Sequence, residues 1–424
     1  MGSIKGEKAI EKFMQTQNIL FLIKGLGGGG AERVLVNLYK SFKNYKRHII
    51  VFSEEKKYDI NAKKILITCP PSISLINFLV RLYKIKKIKK TLKSTCAISF
   101  LEPANFYNVL SKTKNEKIIL SFHNYYSIRL NPKKKQDLFK KLSLKLYAKL
   151  FSLLYNKADY FVAVSKGVAV DLIENFGLDP KKMKIIYNPI FYEEIQELSQ
   201  ENLYEYEKIF THPVILTAGR LRRQKGQWYL LRIFKALKEK HKDLKLVILG
   251  EGRLKDYLVN LSQELKLKTY VWDRDIISGN YDVYFLGFQK NPFKFMARAK
   301  IFAFPSLWEG LGNVLFEAMT CGVPIISSDC RSGPREILAP NTDFYYQTDK
   351  SEFAEYGVLM PVFELKYKSA DEPLNGKEKM WVEVIDRLLT DEKLRKTYAE
   401  KAKERAKDFR VEKILKQWEE LLKL

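Results

Sequence analysis

The feature that most constrains this chain is alternation. Short β-rich apolar runs are separated by longer segments whose apolar residues recur at helical spacing. The first run, Ile19-Leu20-Phe21-Leu22-Ile23, meets a glycine-rich loop ending at Gly30, and residues 31–42 then carry a helical pattern. Further runs fall at 47–52, 97–101, 117–122, 160–164 and 184–187. A strand that passes through a helix before the next strand must cross over. The pattern therefore predicts parallel sheets with helices packed on both faces, an α/β architecture.

The series breaks after Asn188-Pro189, where a polar, acidic stretch at 193–207 intervenes, and restarts at Pro213-Val214-Ile215-Leu216-Thr217. Later runs at 244–249, 283–286, 301–305 and 324–328 belong to this second series. A length of 424 residues suits two domains of about 200 residues each. The boundaries expected are 18–190 and 191–410, each a doubly wound sheet. The amphipathic segment 411–424 can pack back onto either domain, and residues before Asn18 are left outside the fold.

No apolar run approaches the ~18 to 20 residues that would cross a bilayer, and no signal-peptide pattern opens the chain, so a cytoplasmic location is expected. Cys69, Cys96, Cys321 and Cys330 form no C-x-x-C pair and have no histidine at metal-ligand spacing, which predicts reduced thiols without a chemical role. The net charge of +26 is uneven. Residues 1–190 hold 36 Lys+Arg against 13 Asp+Glu, whereas the remainder holds 39 against 36. One basic half facing an anionic surface fits this split better than a uniformly basic nucleic-acid binder.

In open parallel sheets ligands bind at the carboxyl ends of strands, where glycine turns and helix N-termini present backbone N–H groups. Gly25, Gly27 and Gly30 match G-x-G-x-x-G, with Glu54 and Glu55 after the next strand, so a dinucleotide-binding oxidoreductase must be weighed. Four consecutive glycines satisfy many patterns. In the second half, Gly219-Arg220-Leu221 ends a strand and Gln224-Lys225-Gly226 opens a helix, so two cations flank one helix start, as a diphosphate requires. Glu309 and Glu317 lie eight residues apart across a glycine turn, one on the loop before a helix and one a turn inside it. Asp273-Arg274-Asp275 has the form of a metal-binding pair but is expected to follow no strand end, and no metal role is assigned.

These residues together resemble the large retaining group of GT-B glycosyltransferases, which pair two Rossmann-like domains facing a central cleft. The resemblance runs from about Asn18 to Leu424. It rests on the E-x7-E pattern Glu309 to Glu317 with Gly310 and Cys321-Gly322-Val323-Pro324, supported by Gly-Gly-Ala-Glu-Arg at 29–33, Val-Ala-Val-Ser at 162–165, and Gly-Arg-Leu with Lys-Gly at 219–226. It implies transfer of a hexose or N-acetylhexosamine from a nucleotide sugar, UDP-linked for preference, with retention of configuration and without metal or other cofactor. By the same resemblance Arg220 and Lys225 bind the donor diphosphate, aided by the N–H groups of Gly312, Asn313 and Val314. Glu317 holds the ribose, Glu309 contacts the donor sugar beside Gly310 and Leu311, and Gly28 and Gly29 face the phosphates. His123 in Ser-Phe-His-Asn falls where the family has a histidine near the reacting sugar carbon.

Two segments connect the basic half to a membrane. Arg81 to Lys93 carries seven Lys+Arg and no acid after an apolar stretch at 73–80, and 133–149 interleaves lysines with Phe139, Leu142, Leu146 and Leu150. Helices of this kind meet anionic headgroups through lysine while their apolar face docks on the domain or enters the interface. The resembling family binds its acceptor in the N-terminal domain, and with these helices that resemblance implies an acceptor on a polyprenyl diphosphate, reached from the inner face of the cytoplasmic membrane. The competing readings, a nicotinamide-dependent oxidoreductase or a nucleic-acid binder, leave Arg220, Lys225, Glu309 and Glu317 without an explanation.

Overall fold

The computed structural model describes residues 17–27, 29–54, 64–67, 75–130, 138–277 and 280–423. The chain divides into two compact units, Met1–Pro189 with Val411–Leu424, and Ile190–Arg410.

The described strands of the first unit are β1 (Asn18–Ile23), β2 (Lys46–Val51), β3 (Lys64–Leu66), β4 (Cys96–Phe100), β5 (Lys117–Phe122), β6 (Tyr160–Ala163) and β7 (Met183–Ile185). They form one sheet in the order β3-β2-β1-β4-β5-β6-β7, every pairing parallel. The order reverses between β1 and β4, the switch point of a doubly wound sheet. Both faces are covered, which is why β1 after Asn18 is apolar throughout and β4 carries one small polar residue, the buried Ser99.

The last helix, Val411–Lys423, belongs to this unit. Its Ile414, Trp418, Leu421 and Leu422 join Phe21, Leu35, Phe42 and Ile98 in one core. Lys117 donates from Nζ to the carbonyls of Leu421 and Leu422 at 3.3 and 2.9 Å, answering the unpaired carbonyls at that helix end.

The second unit holds β8 (Val214–Ala218), β9 (Lys245–Leu249), β10 (Thr269–Val271), β11 (Val283–Phe285), β12 (Ile301–Phe304), β13 (Ile325–Ser328), β14 (Glu352–Phe353) and β15 (Val358–Met360). Their order is β10-β11-β9-β8-β12-β13-β15-β14, parallel throughout except for the antiparallel edge pair β14–β15. The Gln227–Lys240 helix buries Trp228, Tyr229 and Phe234 in the same core as Trp381 and Ile385 of the Gly376–Thr390 helix. Glu378 closes a capping box with Asn375 and receives Arg232 Nε at 2.7 Å, so one buried carboxylate both caps a helix and neutralises a buried guanidinium.

Four short strands, β3, β10, β14 and β15, depart from the sequence expectation. So does the Asp-x-Asp segment, since β10 ends at Val271 just before it. Asp273 is nevertheless paired with Lys255, which holds its carboxyl below the usual range, and Asp275 Oδ2 accepts the Val271 N–H at 2.7 Å. Among the described residues no helix is long and apolar enough to cross a membrane.

Candidate functional site

The carboxyl edge of the second sheet gathers most of the residues singled out in the sequence. β8 is followed by Gly219, whose φ of +150° turns the chain, and a short 3-10 turn at Arg223–Lys225 leads through Gly226 into the Gln227–Lys240 helix. Gly226 has φ +62°, and a Cβ there would stand 2.4 Å from the Pro305 carbonyl oxygen. Only glycine lets this turn press against the loop that follows β12. The Leu307 N–H in turn donates to the Gln224 carbonyl at 2.7 Å, locking the two loops together.

That contact delivers the central pair. Lys225 Nζ meets Glu309 Oε1 at 2.6 Å, and Gln224 Nε2 donates to Glu309 Oε2 at 3.0 Å. Glu309 is buried, Lys225 is partly covered, and the ammonium also lies 4.9 Å from the centre of the Phe304 ring. Behind Glu309 the loop after β13 supplies a backing strip. The Glu309 N–H donates to the Arg331 carbonyl at 2.7 Å, the Ser332 N–H donates to the Glu309 carbonyl at 2.9 Å, and Ser332 Oγ donates to the Gly310 carbonyl at 2.8 Å. Beside it, burial pushes the Cys330 thiol well above its ordinary range, so no thiolate competes for Lys225.

Gly310, Leu311 and Gly312 are buried, and Gly312, at φ +90°, is the N-cap of the Asn313–Thr320 helix. Gly312, as N-cap, brings no side chain of its own to that helix start. Asn313 and Val314 are half-buried in its first turn, and Glu317 is buried one turn in. Arg220 is half-buried just past β8, and its carbonyl accepts from Gln227 Nε2 at 3.3 Å. Two acids, two cations and a helix start thus share one sheet edge, a set that can neutralise an anion and hold hydroxyl groups.

In the first unit, His123 follows β5. Its Nε2 is 2.9 Å from Ser121 Oγ, and its ring lies 5.5 Å from that of Phe100. Burial pushes its pKa down to about 3, so the imidazole is neutral at physiological pH. Gly29 is the N-cap of the Gly30–Ser41 helix, whereas Gly28 and Glu55 lie outside the described residues. Glu54 is exposed after β2. Sequence reasoning gave no role to Gln224, Arg331 or Ser332. The Ser-Gly-Pro turn at 332–334, placed after a strand like the other glycine turns, was the available signal.

The two basic segments need correction in part. In the Leu75–Thr91 helix, Lys89 is fully buried, donating to Glu116 at 3.0 Å and to Asn108 Oδ1 at 2.7 Å, and Arg81 lies over Phe52 and Tyr107. These two cations serve the fold. The same helix exposes Leu75, Ile76, Leu79 and Tyr83 beside Lys84, Lys86, Lys87 and Lys90. In the Leu138–Tyr155 helix, Leu146, Leu150 and Leu153 are exposed beside Lys145 and Lys149, while Phe151 and Tyr155 turn inward. The side chains of Phe139 and Leu142 lie outside the described residues.

Two parallel-sheet units of this kind define the GT-B class, and the fold is similar to that of solved members of it. The structure of Anabaena HepE in complex with UDP and glucose matches with a TM-score of 0.71 at 18% identity, covering 96% of this chain and 99% of that one. The model for glycosyl transferases group 1 matches residues 200–356, and that for glycosyltransferase family 4 matches residues 28–194. An uncharacterized glycosyltransferase of Methanocaldococcus jannaschii is 36% identical over 89% of this chain and 88% of its own length. The N-acetylgalactosamine-N,N'-diacetylbacillosaminyl-diphospho-undecaprenol 4-alpha-N-acetylgalactosaminyltransferase of Campylobacter jejuni is 33% identical over 94% and 97%. The chain belongs to the group 1 glycosyltransferases.

Proposed function

We propose that this glycosyltransferase moves an N-acetylhexosamine or hexose from a UDP-linked donor to a glycan carried on a polyprenyl diphosphate, with retention and without a metal. The observation that carries the donor half is the convergence of Arg220, Lys225, Glu309 and the glycine-led start of the Asn313–Thr320 helix on one sheet edge. As the glycosidic bond to phosphate breaks, negative charge builds on the departing diphosphate and positive charge on the sugar carbon. Arg220, Lys225 and the N–H groups of Gly312, Asn313 and Val314 would oppose the first, supplying what a divalent cation supplies elsewhere.

Glu309 would orient the donor sugar and Glu317 the ribose. Gly29 would serve the phosphates, and neutral His123 would offer the sugar a hydrogen bond without a competing charge. The Campylobacter relative, whose name gives a diphospho-undecaprenol acceptor and an N-acetylgalactosaminyl product, supports the acceptor class. The exposed leucines and lysines of the first unit support a peripheral seat on an anionic membrane. Thermal-shift screening against nucleotide sugars, followed by transfer from UDP-N-acetylgalactosamine to a polyprenyl-diphosphate-linked acceptor in EDTA, tests the reading. An α-linked product formed in EDTA is expected; stabilisation by no uridine nucleotide, or loss of turnover with EDTA, would refute it.

A further inference from the structure

The segment between the Pro334–Leu338 helix and β14 carries Phe344-Tyr345-Tyr346, and both tyrosines are exposed, at 51% and 48%. β14 runs antiparallel to β15, and β15 runs parallel to β13, so the start of β14 lies at the same carboxyl edge as the candidate site. This segment is also held in place. Arg331 donates from Nη1 to the Phe344 carbonyl at 3.1 Å and from Nη2 to that of Tyr345, and Asp343 Oδ1 accepts the Tyr345 N–H at 2.9 Å.

Further along, Gln347 donates to the Asp329 carbonyl, and the Thr348 N–H to Asp329 Oδ2, both at 2.7 Å. Arg335, itself bound to Asp329 and Glu352, lies 4.9 Å from the centre of the Tyr346 ring. Phe344 and Tyr345 pair with their centroids 4.2 Å apart. Exposed aromatics fixed in this way have little conformational entropy left to lose on binding.

Sheet order tells what would meet them. From β8 to β12 to β13 the edge presents Lys225, then Glu309, then Arg331, whose carbonyl holds the Glu309 N–H. A diphosphate at Lys225 and its sugar at Glu309 set a direction, and the tyrosines come next along it. A pyranose ring has a face of C–H bonds that packs on the electron-rich face of an aromatic ring, with its hydroxyls left at the rim for water. We infer that Tyr345 and Tyr346 form a stacking subsite for a pyranose ring, beyond the position of Glu309. The inference rests on the donor reading above. The ring is either the far side of the transferred sugar or the terminal sugar of the acceptor.

The full-length Y345A/Y346A and Y345F/Y346F variants test it, with UDP binding measured alongside the KM for UDP-N-acetylgalactosamine and for the lipid-linked acceptor. The alanine pair should raise one KM at least about tenfold, with UDP affinity within about twofold and the phenylalanine pair close to wild type. A rise in the donor KM identifies the transferred sugar as the stacked ring, and a rise in the acceptor KM identifies the acceptor's. Both KM values unchanged would overturn the subsite, as would equal loss of UDP affinity in the double and in each single alanine variant, since the loop would then be structural. A wild-type enzyme that turns over no nucleotide sugar sinks the donor reading and this one with it, whereas an active wild type with an unaltered variant sinks this one alone.

Discussion

Replacing Lys225 by alanine separates its place in the fold from its place in the reaction. Removing one partner of a fully buried ion pair costs about 3–5 kcal/mol. Here the lysine retains 18% of its side-chain exposure, and Gln224 continues to donate to Glu309 Oε2. The cost should therefore fall to the ~1–3 kcal/mol of one under-satisfied buried group. In a unit of this size each kcal/mol moves the melting temperature by about 2–4 °C, so a loss of roughly 2–12 °C is expected. Loss of a preorganised cation facing the leaving diphosphate should lower turnover by about 10²–10³, equivalent to ~2.7–4 kcal/mol. The companion variant is K225M/E309Q, which leaves no carboxylate without a counterion. Its melting temperature should return towards wild type while transfer, followed as UDP release, stays low. Lys225→Ala retaining kcat/KM within about threefold of wild type, or K225M/E309Q regaining turnover together with stability, would refute the role.

Gly226→Ala should cost about 2–4 kcal/mol, because left-handed backbone and a 2.4 Å approach to the Pro305 carbonyl both oppose a Cβ; an unchanged urea midpoint would contradict this. His123 falls from an ordinary pKa of 6.5 to about 3 on folding, so the unfolded chain binds the extra proton between those values. Its contribution to stability should be complete above pH ~6.5 and lost as pH falls below it, and the stability difference between pH 7 and pH 5 should shrink in His123→Asn. Lys89→Ala should cost about 3–5 kcal/mol through stranded Glu116 without changing liposome binding, read by urea melts and co-sedimentation. L146S/L150S/L153S should leave melting within about 2 °C of wild type yet release the protein from anionic liposomes at lower salt; binding equal to wild type would place the membrane contact elsewhere.

Much of the fold was legible because its central strands are buried on both faces and so read as mainly apolar runs, broken only by small polar residues such as Ser99 and Ser121. The expected run at 117–122 coincides with β5, and the others shift by a residue or two. The strands not anticipated are two or three residues long. Val358–Met360 is fully buried, but three residues carry no period, and its partner β14 pairs antiparallel at an edge where no crossover helix announces it. Lys89 was readable in principle. It stands four residues after buried Ile85, so a helix that buries one buries the other, and an acid must then be found for it.

The site shows where sequence pattern stops. Each glycine turn could be placed on its own strand end, yet Lys225 and Glu309 are separated by 84 positions, and only the adjacency of β8 and β12 brings them together. That adjacency depends on strand order, which local spacing does not encode. It also changes the meaning of the residues. Read singly, Lys225 is a flexible cation whose long side chain would lose about 2 kcal/mol of rotamer freedom on meeting a phosphate. Joined to a buried carboxylate that Gln224 and the Arg331–Ser332 backbone already hold, it has given up that freedom in folding, and on the donor reading proposed above a diphosphate would meet a charge already aimed.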